Sequence, residues 1–279
     1  MGPYFISDEN DFALYKGDCR EIVPKLDGHF DMIFADPPYF LSNGGVSINA
    51  GQVVCVNKGK WDKSNGYVED AAFTHEWLAE CRAKLTDSGT IWVCGTFHNV
   101  FSVANVLTDL GFRILNAVTW QKTNPPPNLS CRFFTHSTET VVWARKSKKV
   151  PHFFNYDLMH MLAGDRQMTD VWRMPAALAW EKTCGKHPTQ KPIALVVRAI
   201  LASTKESARI LDPFAGSGTT GIAANLLGRS FVGIDSSDKY LNISRQRREM
   251  LPVHQNEWKN RLQDIAQCKN AERQTVNAK

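Results

Sequence analysis

No apolar run in these 279 residues approaches the ~20 needed to cross a bilayer. The opening Met1-Gly2-Pro3-Tyr4 also lacks the basic-then-apolar layout of a signal peptide. Cysteine is scarce: seven residues, an odd number, with no C-x-x-C pair. That pattern argues against both a disulfide framework and a zinc site. Internal repeats are absent as well. The expectation is a chain of the reducing cytoplasm, without membrane or metal. What remains is an ordinary globular composition, long enough for one large α/β domain with a sizeable core.

Charge is nearly balanced, at +5, but the excess is local. Arg145 to Lys191 holds nine Lys/Arg against four acids, leaving 24 of each in the remainder. Either this is a solvated basic face or it is a surface that contacts phosphates. Charge alone does not choose between them.

Strand and helix patterns alternate on both sides of that segment. Strands are expected at 13–15, 30–35, 90–94, 114–120 and 138–144, with helices at 20–26, 73–85 and 99–110 between them. Order returns with a helix at 192–203, strand 209–211, helix 219–227, strand 230–234 and helix 238–250. Such alternation predicts a doubly wound, mostly parallel α/β sheet. Phe40 to Lys60 is polar, rich in glycine and without period, and reads as a mobile functional loop. Residues 147–185 scatter aromatics among bases with no clear period. The chain therefore divides into 1–146, an inserted region 147–185, a second half 186–252 and a tail 253–279.

Two turns carry the chemistry. Asp36-Pro37-Pro38-Tyr39 ends the apolar run Met32-Ile33-Phe34-Ala35. Proline has no N–H to continue a ladder and pushes its predecessor away from helix. The chain must leave the sheet in a stiff turn that presents one carboxylate, backbone carbonyls and a flat ring. A planar heterocycle bearing an amino group suits such a turn, with its ring on Tyr39 and its amine on Asp36.

The second turn runs Asp212-Pro213-Phe214-Ala215-Gly216-Ser217-Gly218-Thr219-Thr220-Gly221. Gly216, Gly218 and Gly221 spell G-x-G-x-x-G, and Asp235 follows Gly216 by 19 residues at the end of the next strand. That is the dinucleotide fingerprint, so an NAD-dependent oxidoreductase is a rival reading. Three features oppose it. Asp212 would repel a pyrophosphate, only 58 residues follow Gly221, and nothing in that reading needs Asp36 to Tyr39. S-adenosylmethionine, an adenosine with an amino-acid tail and no phosphate, fits the same glycine turn and ribose acid.

In this order the two turns resemble the β-class DNA amino-methyltransferases: D-P-P-Y, then a target-recognition region, then F-x-G-x-G. The resemblance covers roughly residues 12–250, and Lys186-His187-Pro188-Thr189-Gln190-Lys191-Pro192 is similar to the family's segment before its cofactor turn. It implies the S-adenosylmethionine-dependent methyltransferase fold with circularly permuted motif order. Ile33 through Gly45, Trp120 through Pro125 and His136 through Trp143 further resemble adenine-N6 members of restriction–modification systems. Lacking the long C-terminal extension of GANTC enzymes, the chain leans to the GATC type. Cytosine-N4 remains a rival, since both amines fit one pocket.

The resemblance implies roles residue by residue. Asp36 and the Pro37 carbonyl would take the N–H groups of a flipped adenine, with Pro38 stiffening the turn and Tyr39 stacking on the base. Asp18 would meet the cofactor's adenine, Asp235 its ribose, Asp212 its amino group, and Phe214 its methionine portion. Ala215, Gly216, Ser217 and Gly218 would line it, and Lys191 would meet its carboxylate. Thr219 would contact it or cap the following helix. DNA contacts are expected from Lys148, Lys149, Arg166, Arg173 and Arg132, with Trp61 and Asp62 as weaker candidates. The partners implied are DNA, a second copy in a homodimer, and a cognate restriction endonuclease without stable binding.

Overall fold

The structure, a computed structural model, describes residues 2–41, 46–49, 52–55, 62–128 and 131–276, with side chains left aside in 46–55 and beyond 262. The elements run β1 (Phe5–Ile6), β2 (Phe12–Lys16), α1 (Cys19–Ile22), β3 (Phe30–Ala35), β4 (Val46–Asn49), β5 (Gln52–Cys55) and α2 (Tyr67–Lys84). There follow β6 (Leu85–Gly95), α3 (Val100–Asp109), β7 (Arg113–Lys122), β8 (Thr138–Arg145), α4 (Tyr156–Leu162) and β9 (Val171–Met174). The last are α5 (Ile193–Ser203), β10 (Arg209–Asp212), α6 (Thr219–Leu226), β11 (Ser230–Asp235) and α7 (Asp238–Val276).

Nine strands form one sheet in the order β1-β2-β11-β10-β3-β6-β8-β7-β9. All run the same way except β1 and β8, which lie antiparallel to their neighbours. The expected doubly wound sheet is what the chain builds. Its strands alternate between two cores, as period 2 requires. Met32 and Phe34 face one apolar cluster, while Ile33 and Ala35 face the other. Helices α1 to α3 cover the second side and α5 to α7 the first.

The topology places the crevice. From β3 the chain builds the sheet outward, in the spatial order β6, β8, β7 and β9, then returns to β10 on the opposite side of β3. A ligand site belongs where the winding reverses, outside the strands' carboxyl ends. Neighbours β3 and β10 pair through Ile33 and Leu211, so both sequence turns leave the sheet side by side.

Three segments add to the sequence pattern. Within the expected loop 40–60, residues 46–49 and 52–55 pair as an antiparallel ribbon, β4 with β5; the rest of it beyond residue 41 lies outside the described residues. Residues 147–185 supply β9, the outer strand of the main sheet, parallel to β7. Its Trp172 is buried beside Trp92, which stacks on Trp143 at 4.8 Å and 11°. The missing period reflects one short helix and one four-residue strand, both too short to show one. Finally, α7 does not stop at Met250 but passes through Pro252. Proline inside a helix costs about 3 kcal/mol; burial of Leu251 and Trp258 offsets it. Among the described residues no helix is long and apolar enough to cross a membrane.

Candidate active site

At the end of β3 the backbone has no strand ladder to satisfy it, and a side chain from elsewhere does the work. Asp62 Oδ1 accepts from the N–H of Tyr39 at 2.8 Å and from that of Phe40 at 2.9 Å. Asp62 is fully buried and braces the turn. Phe40 adopts a left-handed φ of 58°, a strained conformation for a bulky residue that this double bond holds. Trp61 lies outside the described residues.

Asp36 then meets a buried polar cluster. Its Oδ1 accepts from the Tyr39 hydroxyl at 2.7 Å, and its Oδ2 from the Lys191 ammonium at 2.6 Å. Lys191 also lies 3.4 Å from Glu139, whose other oxygen accepts from Lys122 at 2.6 Å. Burial opposes the charge on Lys191, but the carboxylates of Asp36 and Glu139 outweigh it and raise its pKa above the ordinary lysine value. Burial likewise opposes the charge on Glu139, yet the two ammonium groups hold its pKa at about 2. Burial and both carboxylates push the Tyr39 phenol well up.

The second turn is closed by its own side chains. Asp212 accepts from the Phe214 N–H at 2.9 Å and from the Thr220 hydroxyl at 2.5 Å. Burial raises its pKa to about 7. Gly218 caps α6 at φ +75°, and a Cβ there would stand 2.1 Å from Ser244 Oγ. At Gly221 a Cβ would strike Phe12 at 2.3 Å, so this third glycine lets helix meet strand. Buried Arg247 donates to the Ser217 carbonyl at 2.7 Å and to the Thr219 hydroxyl at 3.0 Å. Asp235 accepts from the N–H groups of Gly216 and Ser237 at 2.9 and 2.8 Å, and burial raises its pKa.

Between the turns lies a cavity of about 290 Å3. Asp18, Asp36 to Tyr39, Phe73, Phe214, Gly216, Asp235 and Tyr240 are among its walls. Asp18 caps α1 and is held below the usual carboxylate range by hydrogen bonds from Arg20. Phe214 stands edge-on to Trp77 at 5.1 Å. Four carboxylates, Asp18, Asp36, Asp62 and Asp235, with aromatic walls and glycine backbone, suit a cationic nucleoside. They do not suit a pyrophosphate, which needs free amides at the helix start. Here the N–H groups of Phe214, Gly216 and Gly218 already serve Asp212, Asp235 and the Ala215 carbonyl.

Of the residues expected at the cofactor, Asp18, Phe214, Gly216 and Asp235 line this cavity. Asp212, Ala215, Ser217, Thr219 and Lys191 do not; they border a smaller recess behind it. Gly218 borders neither, and shapes the turn. Lys191 and Asp212, expected at the cofactor's charged tail, have buried partners within the chain, Asp36 for one and the turn itself for the other. Sequence reasoning missed Glu139, Lys122, His187 and Tyr240. His187 stands 4.2 Å from Tyr240 and beside Gly216 at the cavity wall. The first three lie in stretches already singled out for resemblance, which was the available signal.

The expected DNA residues separate by sheet edge. Arg132 follows β7 and Arg173 nearly ends β9, both at the edge that carries Asp36. Lys148 and Lys149 follow antiparallel β8 and so lie at the opposite edge, with Arg166 in the loop that enters β9 from that side. Exposed Phe97, Phe133 and Phe134 sit in the loops after β6 and β7, on the Asp36 edge.

A family model described as DNA methylase matches residues 30–246. The chain is 52% identical over 262 residues to the Type II methyltransferase M2.MboI of Moraxella bovis, covering 93% of this chain and 96% of that one. It is 53% identical over 249 residues to M2.DpnII of Streptococcus pneumoniae, covering 88% and 92%. The crystal structure of an M1.HpyAVI–SAM complex superposes with a TM-score of 0.66 at 26% identity, over 85% of this chain and 98% of that one. PvuII DNA methyltransferase, cytosine-N4-specific, shares the fold with a TM-score of 0.70 at 16% identity, over 95% of each. The oxidoreductase reading falls with these matches, and the chain belongs to the N6/N4 DNA methylase family.

Proposed function

We propose that this chain transfers a methyl group from S-adenosylmethionine to the N6 amine of an adenine flipped from DNA, within a restriction–modification system. The observation that most supports the reading is a single cavity bordered by Asp36 and Tyr39 on one side and by Phe214, Gly216 and Asp235 on the other. When bound, the cofactor supplies a methyl carbon already activated by a sulfonium. Asp235 and Asp18 would hold its ribose and adenine, and Phe214 would pack against its methionine portion.

The target amine is a poor nucleophile because its lone pair is delocalised into the ring. Hydrogen bonds from its N–H groups to the Asp36 carboxylate and the Pro37 carbonyl would turn that lone pair toward the methyl carbon. Alignment of this kind is worth roughly 7–11 kcal/mol. The Asp36 charge also favours the positive charge that develops on the amine during attack. Flipping costs a few kcal/mol, of which stacking on Tyr39 would return about 1–3 kcal/mol. The recognised site we read as GATC, on resemblance. A homodimer, an endonuclease cutting the same site and a cytoplasmic location belong to the same proposal.

Incubation with DNA and labelled cofactor, followed by nucleoside analysis, tests the reading. N6-methyladenine is the expected product. Labelled N4-methylcytosine would transfer the assignment to the other branch of the family.

A further inference from the structure

Four charged side chains meet beside the cavity, from four separate parts of the chain. Asp36 follows β3, Lys122 ends β7, Glu139 lies at the start of β8, and Lys191 precedes α5. Their side chains are only 18%, 19%, 13% and 6% exposed. Two carboxylates balance two ammonium groups. Burying such a set does little for stability, since well-packed apolar side chains would serve as well or better. It does fix geometry, because each member loses its partners if it moves.

The direction of the cluster is informative. Asp36 lines the large cavity, whereas Lys191, Glu139 and Lys122 do not. Lys191 instead borders the smaller recess, which Asp36 also borders, and meets Asp36 at 2.6 Å, while Glu139 steadies the ammonium at 3.4 Å. Lys122 anchors Glu139 in turn and lies 5.0 Å over the Trp120 ring. The Tyr39 hydroxyl bridges the two carboxylates, at 2.7 Å from Asp36 and 3.3 Å from Glu139. The Lys191 ammonium also sits 5.2 Å over the Tyr39 ring. Cys94 and Asp212 are the other titratable groups that sense Asp36.

We propose that Lys191, Glu139 and Lys122 form a clamp that orients the Asp36 carboxylate and the Tyr39 ring for the incoming base. Lys191 and Glu139 are then positioning residues, not cofactor ligands. The inference rests on the reading that Asp36 receives the target amine. It assigns the Lys of the 186–192 segment to the catalytic turn, and gives Glu139 a task in the reaction.

The test measures kcat at saturating cofactor and DNA beside cofactor affinity by calorimetry. Lys191→Met is expected to lower kcat about 100-fold, the loss that a misplacement near 1 Å produces. Its cofactor Kd should stay within about two-fold. Glu139→Gln keeps the volume and should lower kcat by about ten-fold. The double variant should lose no more than Lys191→Met alone, because both changes break one clamp. Lys191→Arg should recover part of the rate. A cofactor Kd raised ten-fold in Lys191→Met with kcat preserved would overturn the inference, and so would wild-type kcat in Glu139→Gln. If Lys191→Met fails to fold, Glu139→Gln and Lys191→Arg decide. Asp36→Ala separates the two levels: an active Asp36→Ala sinks the reading beneath, whereas an inactive one beside a fully active Lys191→Met sinks only the clamp.

Discussion

Asp36 and Asp212 stand at the ends of adjacent strands, yet their surroundings give them opposite tasks. Asp36 faces the cavity with ionic support behind it, and Asp36→Ala should abolish methyl transfer while leaving cofactor affinity within several-fold. Retention of most activity in that variant would remove Asp36 from the mechanism. Asp212 is turned inward, and burial raises its pKa from 3.8 to about 7. The folded protein therefore holds a proton that the unfolded chain releases. The stability this contributes is complete below about pH 4 and is lost as pH rises toward 7. Asp235 and Glu181 shift in the same direction, whereas Glu139, held at about 2, acts only below pH 4.5. Melting temperature should fall from pH 4 to 7 in the wild type and fall less in Asp212→Asn. An Asp212→Asn curve that falls as steeply as the wild type's would contradict the burial.

At the scale of elements, each turn is held by a residue distant in sequence. Asp62 closes the turn after β3, and Arg247, from α7, braces the one after β10 from outside. The glycines answer steric demands that differ. Gly218 is left-handed against Ser244, while Gly221 makes room for Phe12 and Phe231. Gly221→Ala should destabilise the fold by about 1–3 kcal/mol through overpacking, read by urea denaturation. Gly218→Ala adds backbone strain of about 1–3 kcal/mol to its clash, and should weaken cofactor binding in calorimetry as well. If both variants bound cofactor and unfolded like the wild type, the close approach at α6 would be wrong.

Over the whole molecule, strand direction sorts the basic residues that composition could only count. Arg132 and Arg173 share the Asp36 edge; Lys148 and Lys149 do not. If DNA lies across the cavity mouth, Arg132→Ala and Arg173→Ala should each reduce the slope of log K against log salt by about 1. Lys148→Ala with Lys149→Ala should leave it unchanged. The reverse pattern in salt-titrated binding would place DNA on the other edge. The exposed Phe133 and Phe134 belong to this same face, beside Arg132.

The order of strands and helices, the two turns and their family resemblance were legible in the chain, because hydrophobic period, proline and glycine act on near neighbours. The strand at 30–35 and the helix near 193–203 needed nothing more. Segment 147–185 did not yield, since β9 is recognisable only by pairing with β7. The meeting of Glu139, Lys122 and Lys191 was likewise opaque: they are 17 to 69 residues apart, and only the tertiary fold brings them together. Local chemistry wrote the turns into the sequence. Which charges meet behind them was decided by tertiary structure, because a buried ion pair depends on long-range packing for its partner.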